Sequence, residues 1–310
     1  MKPFMKKQLA ILLGTALIPC FWSTSTRAEI ATLEVNSDNA DQEQTIQLQG
    51  VQATLTHKKQ ISEYGDIDEV PLLTVSGGGD TIQATGSVSF FSYSLVQIAE
   101  MDPSNDLPEV LFSSFTGGAH CCDAVQILTH QPETSSWQIV DVGFFDGGLN
   151  GVTDPDQSGI YKYVTNDNRF LYKYSSYAGS FPPIQIWQLD GLEMRDVSKD
   201  PKFFPLHRDR LQDMWQSIKS ATAEGYEVNG VLAGYVATKA ILGEAIPAWE
   251  LMLKRYDQND DWGFEECRGE YDDQGECRGE WITYNSFPEA LRSFLIETDY
   301  LSQDDLSPSH

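Results

Sequence analysis

The chain has 310 residues, room for one large or two ordinary domains, and carries 46 acidic against 21 basic residues for a net charge of −25 at pH 7. A surface this negative repels phosphate backbones and anionic lipid headgroups, because the counterion release that drives nucleic-acid binding needs clustered Lys and Arg. Nucleic acid is therefore excluded as an expected partner, and the charge reads first as a solubility device.

Lys2, Lys6 and Lys7 precede an apolar run from Leu9 to Trp22 and a Ser-Thr stretch, which is the three-part order of an export signal. The run falls short of the about 20 residues that a spanning helix needs. Thr26 and Ala28 supply small residues for cleavage, so residues 1–28 are expected to leave as a signal peptide. Cys20 leaves with them, and Ile18 and Pro19 stand before it where a lipidation site wants small residues. No later stretch is long and apolar enough to be an integral membrane segment, so the mature chain is expected as a soluble periplasmic or extracellular protein.

From about Thr45 to Val197 the sequence is written in strand code. Ile46 and Leu48, Val51, Ala53 and Leu55, Leu73 and Val75, and Ile82 and Ala84 alternate with polar neighbours, placing apolar side chains on one face of a sheet. Gly77 to Asp80 interrupt these runs where a hairpin turn belongs. Within this half lies a repeat, near 102–145 and 154–197: an acidic loop, DPSNDLPEV or DPDQSGIYK, followed by three strands. Ser113, Ser114, Phe115 and Gly117 recur as Ser175, Ser176, Tyr177 and Gly179, and each unit has the size of a propeller blade. About 150 residues supply about three blades, fewer than a closed propeller uses, so a sandwich or partial barrel is the expected form.

The two acidic loops resemble those of FG-GAP or VCBS-type repeats, the calcium-binding β-repeats of integrin propellers and of many exported bacterial proteins, over roughly a third of the chain. The resemblance implies calcium held by loop oxygens at alternating positions and closed by a carboxylate. In the first loop Asp102, Ser104 and Asp106 keep that spacing, and Glu109 is the closing carboxylate, one residue early. In the second, Asp154, Asp156 and Ser158 sit at ligand spacing and Gly159 supplies the turn, but Lys162 occupies the closing position, where its ammonium can neutralise the Asp pair itself. The alternative for both loops is an Asx-rich turn opening a strand.

The string TGGAHCCD, Thr116 to Asp123, resembles a GGAHCC signature of exported bacterial proteins of undefined activity that carry such repeats. Three readings stand. His120, Cys121 and Cys122 offer zinc-binding atoms, although consecutive strand residues point to opposite faces. A Cys beside a His can form a nucleophilic thiolate, although no orienting group is recognisable. Cys121 and Cys122 can also pair as a vicinal disulfide or pack together at a tight Gly-Gly turn.

From about Leu206 the code turns helical. Leu211, Trp215 and Ile218 form one stripe, Leu232, Tyr235, Val236 and Ala240 a second, and Ile246, Trp249, Leu253 and Tyr256 a third, with Gly225 and Gly243 as stops. Ser286 and Glu289 make a capping box before a last helix whose Leu291, Phe294 and Leu295 face inward. Asp257, Asn259, Asp261 and Gly263 approximate an EF-hand opening, but the glycine is late and Arg268 stands at position twelve, so a solvated loop is expected. With Cys20 removed, four cysteines remain in an oxidising compartment, and Cys267 and Cys277, inside one acidic loop, are the expected disulfide.

These features predict an α+β protein: a signal peptide at 1–28, an antiparallel β domain with two blade-like repeats at 29–200, and a small helical domain with a disulfide loop at 201–310. No G-x-S-x-G, H-E-x-x-H, Walker loop or dinucleotide fingerprint is present. The expected function is a non-catalytic exported module binding a protein or glycan ligand. The alternative is a secreted hydrolase whose site lies between the β and helical domains, with acids that spacing alone does not single out.

Overall fold

A computed structural model describes residues 29–61, 67–89, 93–118, 121–146, 150–272, 274 and 276–306. The expected signal peptide and the motif histidine His120 lie outside the described residues. Strand β1 (Ile30–Val35) comes first, and the alternating run after it forms an antiparallel meander of β2 (Gln44–Leu48), β3 (Val51–Ile61), β4 (Ile67–Gly77) and β5 (Asp80–Thr85). Strand periodicity of two sends Val51, Ala53, Leu55, Leu73, Val75 and Ala84 to one buried face. The β4–β5 turn takes Gly78 and Gly79 at φ of 63° and 86°, left-handed conformations that a tight hairpin requires.

A second sheet follows, made of β6 (Ser94–Ala99), β7 (Glu109–Phe115), β8 (Asp123–Gln131) and β9 (Ser136–Phe145), with β1 returning to pair antiparallel with β6. A third contains β10 (Val152–Thr153), β11 (Lys162–Asn166), β12 (Ile184–Asp190) and β13 (Glu193–Asp196) in that order. The second sheet is the middle layer. Its Val96, Ile98, Val110, Phe112, Leu128 and Trp137 pack into the core of the first sheet. From its other face Leu95, Leu111, Val125 and Ile127 pack with Val152, Tyr163 and Leu189 of the third. Burial on both faces is why β6 and β7 read as near-continuous apolar runs instead of alternations.

Two three-stranded meanders, β7-β8-β9 and β11-β12-β13, each open directly after one of the acidic loops. The anchor residues, however, do not correspond. Ser113, Ser114 and Phe115 lie within β7, whereas Ser175, Ser176 and Tyr177 lie in a turn-rich segment after a short 3-10 helix at Asn168–Phe170. Around Leu171 the chain forms a turn, and Phe170 and Tyr174 point away from the sheet into the core of the helical unit.

That unit holds α1 (Phe204–Glu224), α2 (Asn229–Ile241), α3 (Ala245–Leu253), a hairpin of β14 (Glu265–Arg268) and β15 (Glu280–Thr283), and α4 (Phe287–Glu297). Helix α1 buries His207, Leu211, Met214 and Ile218 along one stripe and stops at Gly225, whose φ of 73° is the left-handed C-terminal cap. The stripe expected on α3 is displaced. Ile246 and Leu253 are exposed, and Ala248 and Met252 are the buried residues, so the helix turns its small and unbranched side chains inward. At α4 the Ser286 hydroxyl accepts from the Glu289 amide at 3.4 Å, while the Glu289 carboxylate reaches one residue further back, to the Asn285 amide. The helical unit is fastened to the sheets by the Tyr300 hydroxyl, which donates to Asp167 at 2.9 Å, and by edge-on packing of Phe170 against Phe294 and Tyr300. The architecture is α+β.

Candidate functional site

The two acidic loops lead to the same place in the fold, the first residue of a three-stranded meander, and bury opposite charges there. Glu109 opens β7 with no exposed surface. Its Oε2 accepts from the amides of Met101 (2.7 Å) and Asp102 (3.1 Å), and its Oε1 from Asn105 Nδ2 (2.5 Å) and Thr129 Oγ1 (3.3 Å). Burial pushes its pKa up to about 7, against the lowering effect of those donors. Asp102 is buried as well, accepting from the Ser104 amide and, at 2.7 Å, from the Gly191 amide in the β12–β13 turn, whereas Ser104 and Asp106 are exposed. The calcium-ligand set Asp102, Ser104, Asp106 and Glu109 is thus divided between interior and surface. Among the described residues no three His, Cys, Asp or Glu side chains are grouped to hold a metal.

In the second loop Lys162 opens β11 and is 1% exposed. Its ammonium donates to Asp156 Oδ1 (2.7 Å), Ser158 Oγ (2.8 Å) and the Ile160 carbonyl (2.7 Å). Asp154 meanwhile accepts from the Ser158 and Gly159 amides, both at 2.9 Å. Burial opposes ionisation of Asp156, but the bonds from Lys162 and Ser158 prevail and hold its carboxyl well below the usual range. The loop therefore surrounds a cation that the chain itself supplies.

Cys267 and Cys277 are bonded across the β14–β15 hairpin with their Cα atoms 5.7 Å apart, and Cys121 and Cys122 are bonded to each other. Around the latter pair the Cys122 amide donates to Thr116 Oγ1 and the Thr116 amide to the Cys122 carbonyl, both at 2.9 Å, so the motif closes the β7–β8 connection. Its last residue, Asp123, is buried, and burial followed by the Asp146 carboxylate pushes its pKa up to about 6. Asp146 accepts from the Tyr177 hydroxyl at 2.8 Å, which links this pair to the turn-rich segment at 171–181.

That segment forms one wall of a groove of about 740 Å³, within the range of small-molecule sites. The opposite wall is the C-terminal half of α1, and the floor reaches Val231 on α2. Close backbone contact holds the wall in place. A Cβ on Gly230 would lie 2.0 Å from Ser175 Oγ, and one on Gly234 would lie 1.9 Å from the Phe181 carbonyl. Glu227 Oε2 accepts from both the amide (2.8 Å) and the hydroxyl (2.7 Å) of Ser176. Hydroxyls of Ser180, Ser217 and Ser220 and the exposed ring of Tyr226 line the mouth.

A second cleft, about 420 Å³, lies between the β and helical parts, where the hydrolase reading expected a site. Two of its three acids, Asp167 and Asp196, are already engaged. Asp167 is paired with Arg169 and Tyr300, and Asp196 accepts from the Ser198 amide and hydroxyl. Neither Glu109 nor Asp123, the carboxyls whose pKa rises furthest, lines either cavity. The groove residues escaped sequence reasoning because serines and an exposed Tyr-Glu pair have no spacing signature. Gly230 and Gly234, one turn apart, were the available signal, since that spacing marks close approach to a helix.

Residues 207–299 match the family described as the sll0997 C-terminal domain. The chain is 41% identical over 271 residues to the probable thylakoid lumen protein sll0997 of Synechocystis sp. (strain ATCC 27184 / PCC 6803 / Kazusa), covering 87% of this chain and 79% of that protein. It is 32% identical over 206 residues to the uncharacterized protein y4bJ of Sinorhizobium fredii (strain NBRC 101917 / NGR234), covering 66% of this chain and 32% of that protein. No solved structure matches.

Proposed function

The chain belongs to the family of the probable thylakoid lumen protein sll0997, and from that premise we propose that it is an exported, non-catalytic binding protein whose ligand site is the groove between residues 176–181 and helices α1 and α2. A lumen, a periplasm and the exterior all lie across a membrane from the site of synthesis, which accords with the leader-like order of residues 1–28. Two cysteine pairs suit such an oxidising space.

The observation that carries the binding reading is the groove itself. Its walls are preformed by glycine contacts and by the Glu227–Ser176 bonds, and its lining joins apolar side chains to a few convergent hydroxyls. Ala221→Trp places an indole into this space from a half-buried position on α1. Compounds that raise the melting temperature of the parent by mass action are expected to lose that effect on Ala221→Trp. Equal stabilisation of both proteins would place the ligand site elsewhere. Export is tested separately, by N-terminal sequencing of the protein recovered from the extracytoplasmic fraction, which is expected to begin at Glu29.

A further inference from the structure

We propose that the groove selects small organic ammonium ions, a positively charged head on an apolar body; this rests on the binding reading above and adds its charge preference. Helix α1 ends at the groove, and a helix C-terminus carries the negative end of the backbone dipole through its unpaired carbonyls. Lys or Arg in the last turn would offset that field, and α1 has none there, ending instead on Glu224 and Gly225. Directly after the cap comes Glu227, whose Oε2 is bound by Ser176 and which, among the described residues, forms no ion pair with a basic side chain.

The other lining side chains are neutral: Ser176, Ser180, Gln216, Ser217 and Ser220 as polar groups, with Phe181 and Val231 as apolar surface. Arg210 is the basic residue stacked on Phe181, and it is already bonded to the Pro182 carbonyl and Asn166 Oδ1 without lining the groove. A carboxylate ligand would meet like charge with no donor cation to receive it. An ammonium meets the Glu227 carboxylate, hydroxyl acceptors and the face of Tyr226, whose ring quadrupole attracts cations. The net charge of −25 raises the local concentration of such ligands further.

The test titrates the full mature protein with 2-phenylethylammonium, the neutral 2-phenylethanol and 3-phenylpropionate, following amide shifts of Tyr226, Glu227 and Val231 by nuclear magnetic resonance. The ammonium is expected to bind in the millimolar range or tighter, the alcohol about threefold to tenfold more weakly, and the carboxylate not at all. Glu227→Gln keeps an acceptor for Ser176 and should bring the ammonium close to the alcohol while leaving the alcohol unchanged. Equal binding of all three probes, or an unchanged preference in Glu227→Gln, overturns the charge assignment and leaves the groove standing. Absence of every shift at tens of millimolar overturns the groove reading and this assignment with it.

Discussion

The loops at 102–109 and 154–162 both begin on an Asp-Pro pair and both end by burying a charge at the first residue of a strand, yet the sign of that charge is reversed. Glu109 is an acceptor surrounded by four donors, and Lys162 is a donor surrounded by three acceptors. One scaffold position accommodates either sign provided the loop around it presents the complementary set. In the first loop backbone amides and Asn105 turn inward, and in the second a carboxylate, a hydroxyl and a carbonyl do so. The second set consists of oxygen acceptors alone, gathered around one ammonium.

The largest way to break the symmetry is to remove one buried charge. Lys162→Met keeps most of the stem but leaves Asp156 and the Ile160 carbonyl without their shared donor, and losing one partner of a buried pair costs about 3 to 5 kcal/mol. Urea unfolding is expected to show that loss as a lowered midpoint with an unchanged slope.

The two loops should also respond to pH in opposite directions. Glu109 titrates near 4.5 when unfolded and is raised to about 7 in the fold, so its contribution is fully present below the unfolded value and is lost as pH rises through the folded one. Between pH 5 and pH 8 the loss approaches about 3 kcal/mol as an upper bound. Asp156 is depressed, so its contribution is present above the unfolded carboxylate value and disappears only as pH falls through its lowered one. Denaturation curves of the parent and of Glu109→Gln between pH 5 and pH 8 isolate the Glu109 contribution, since that of Asp156 is constant there. The variant should lose most of the decline toward alkaline pH, and an identical decline in both proteins would reassign it, for example to Asp123, which is raised in the same direction.

Lys162→Asp sharpens the comparison by replacing the internal cation with a closing carboxylate. Calcium should then stabilise the fold by about 2 to 3 kcal/mol at a hundredfold excess over the dissociation constant, seen as a raised melting temperature, where it leaves the parent unchanged. Calorimetric titration of parent, Lys162→Asp and Asp154→Ala checks it, and calcium binding by the parent that Asp154→Ala abolishes would overturn the idea that Lys162 takes the ion's place. The smallest expected effect is that of Thr129→Val, which removes one of the four donors to Glu109 for about 1 kcal/mol.

Much of the fold could be read from spacing alone. Alternation in β2 to β5 and the helical stripes of α1, α2 and α4 follow from one-sided burial, which leaves a periodic trace. On α3 half of the third stripe holds: Trp249 and Tyr256 pack against the core, but Ile246 and Leu253 are exposed, and Ala248 and Met252 are the fully buried positions. Strand β1 leaves little local trace, since its partners in β6 lie about 60 to 70 positions further along the chain. The role of Lys162 is visible in its place at the end of the loop, but the inward turn of Glu109 toward four donors is not, because sequence shows which atoms a side chain carries and not which way it points. The groove was the least legible part, being assembled from a turn in one half of the chain and a helix terminus in the other.

The middle sheet has a consequence for dividing this protein. Because β6, β7 and β8 pack on both sides, cutting the chain at residue 150 would strip the partners from Leu95, Leu111, Val125 and Ile127 and leave a bare apolar face on a sheet. Such a fragment is expected to associate with itself, and the three layers must therefore be inherited, expressed and unfolded as one indivisible block.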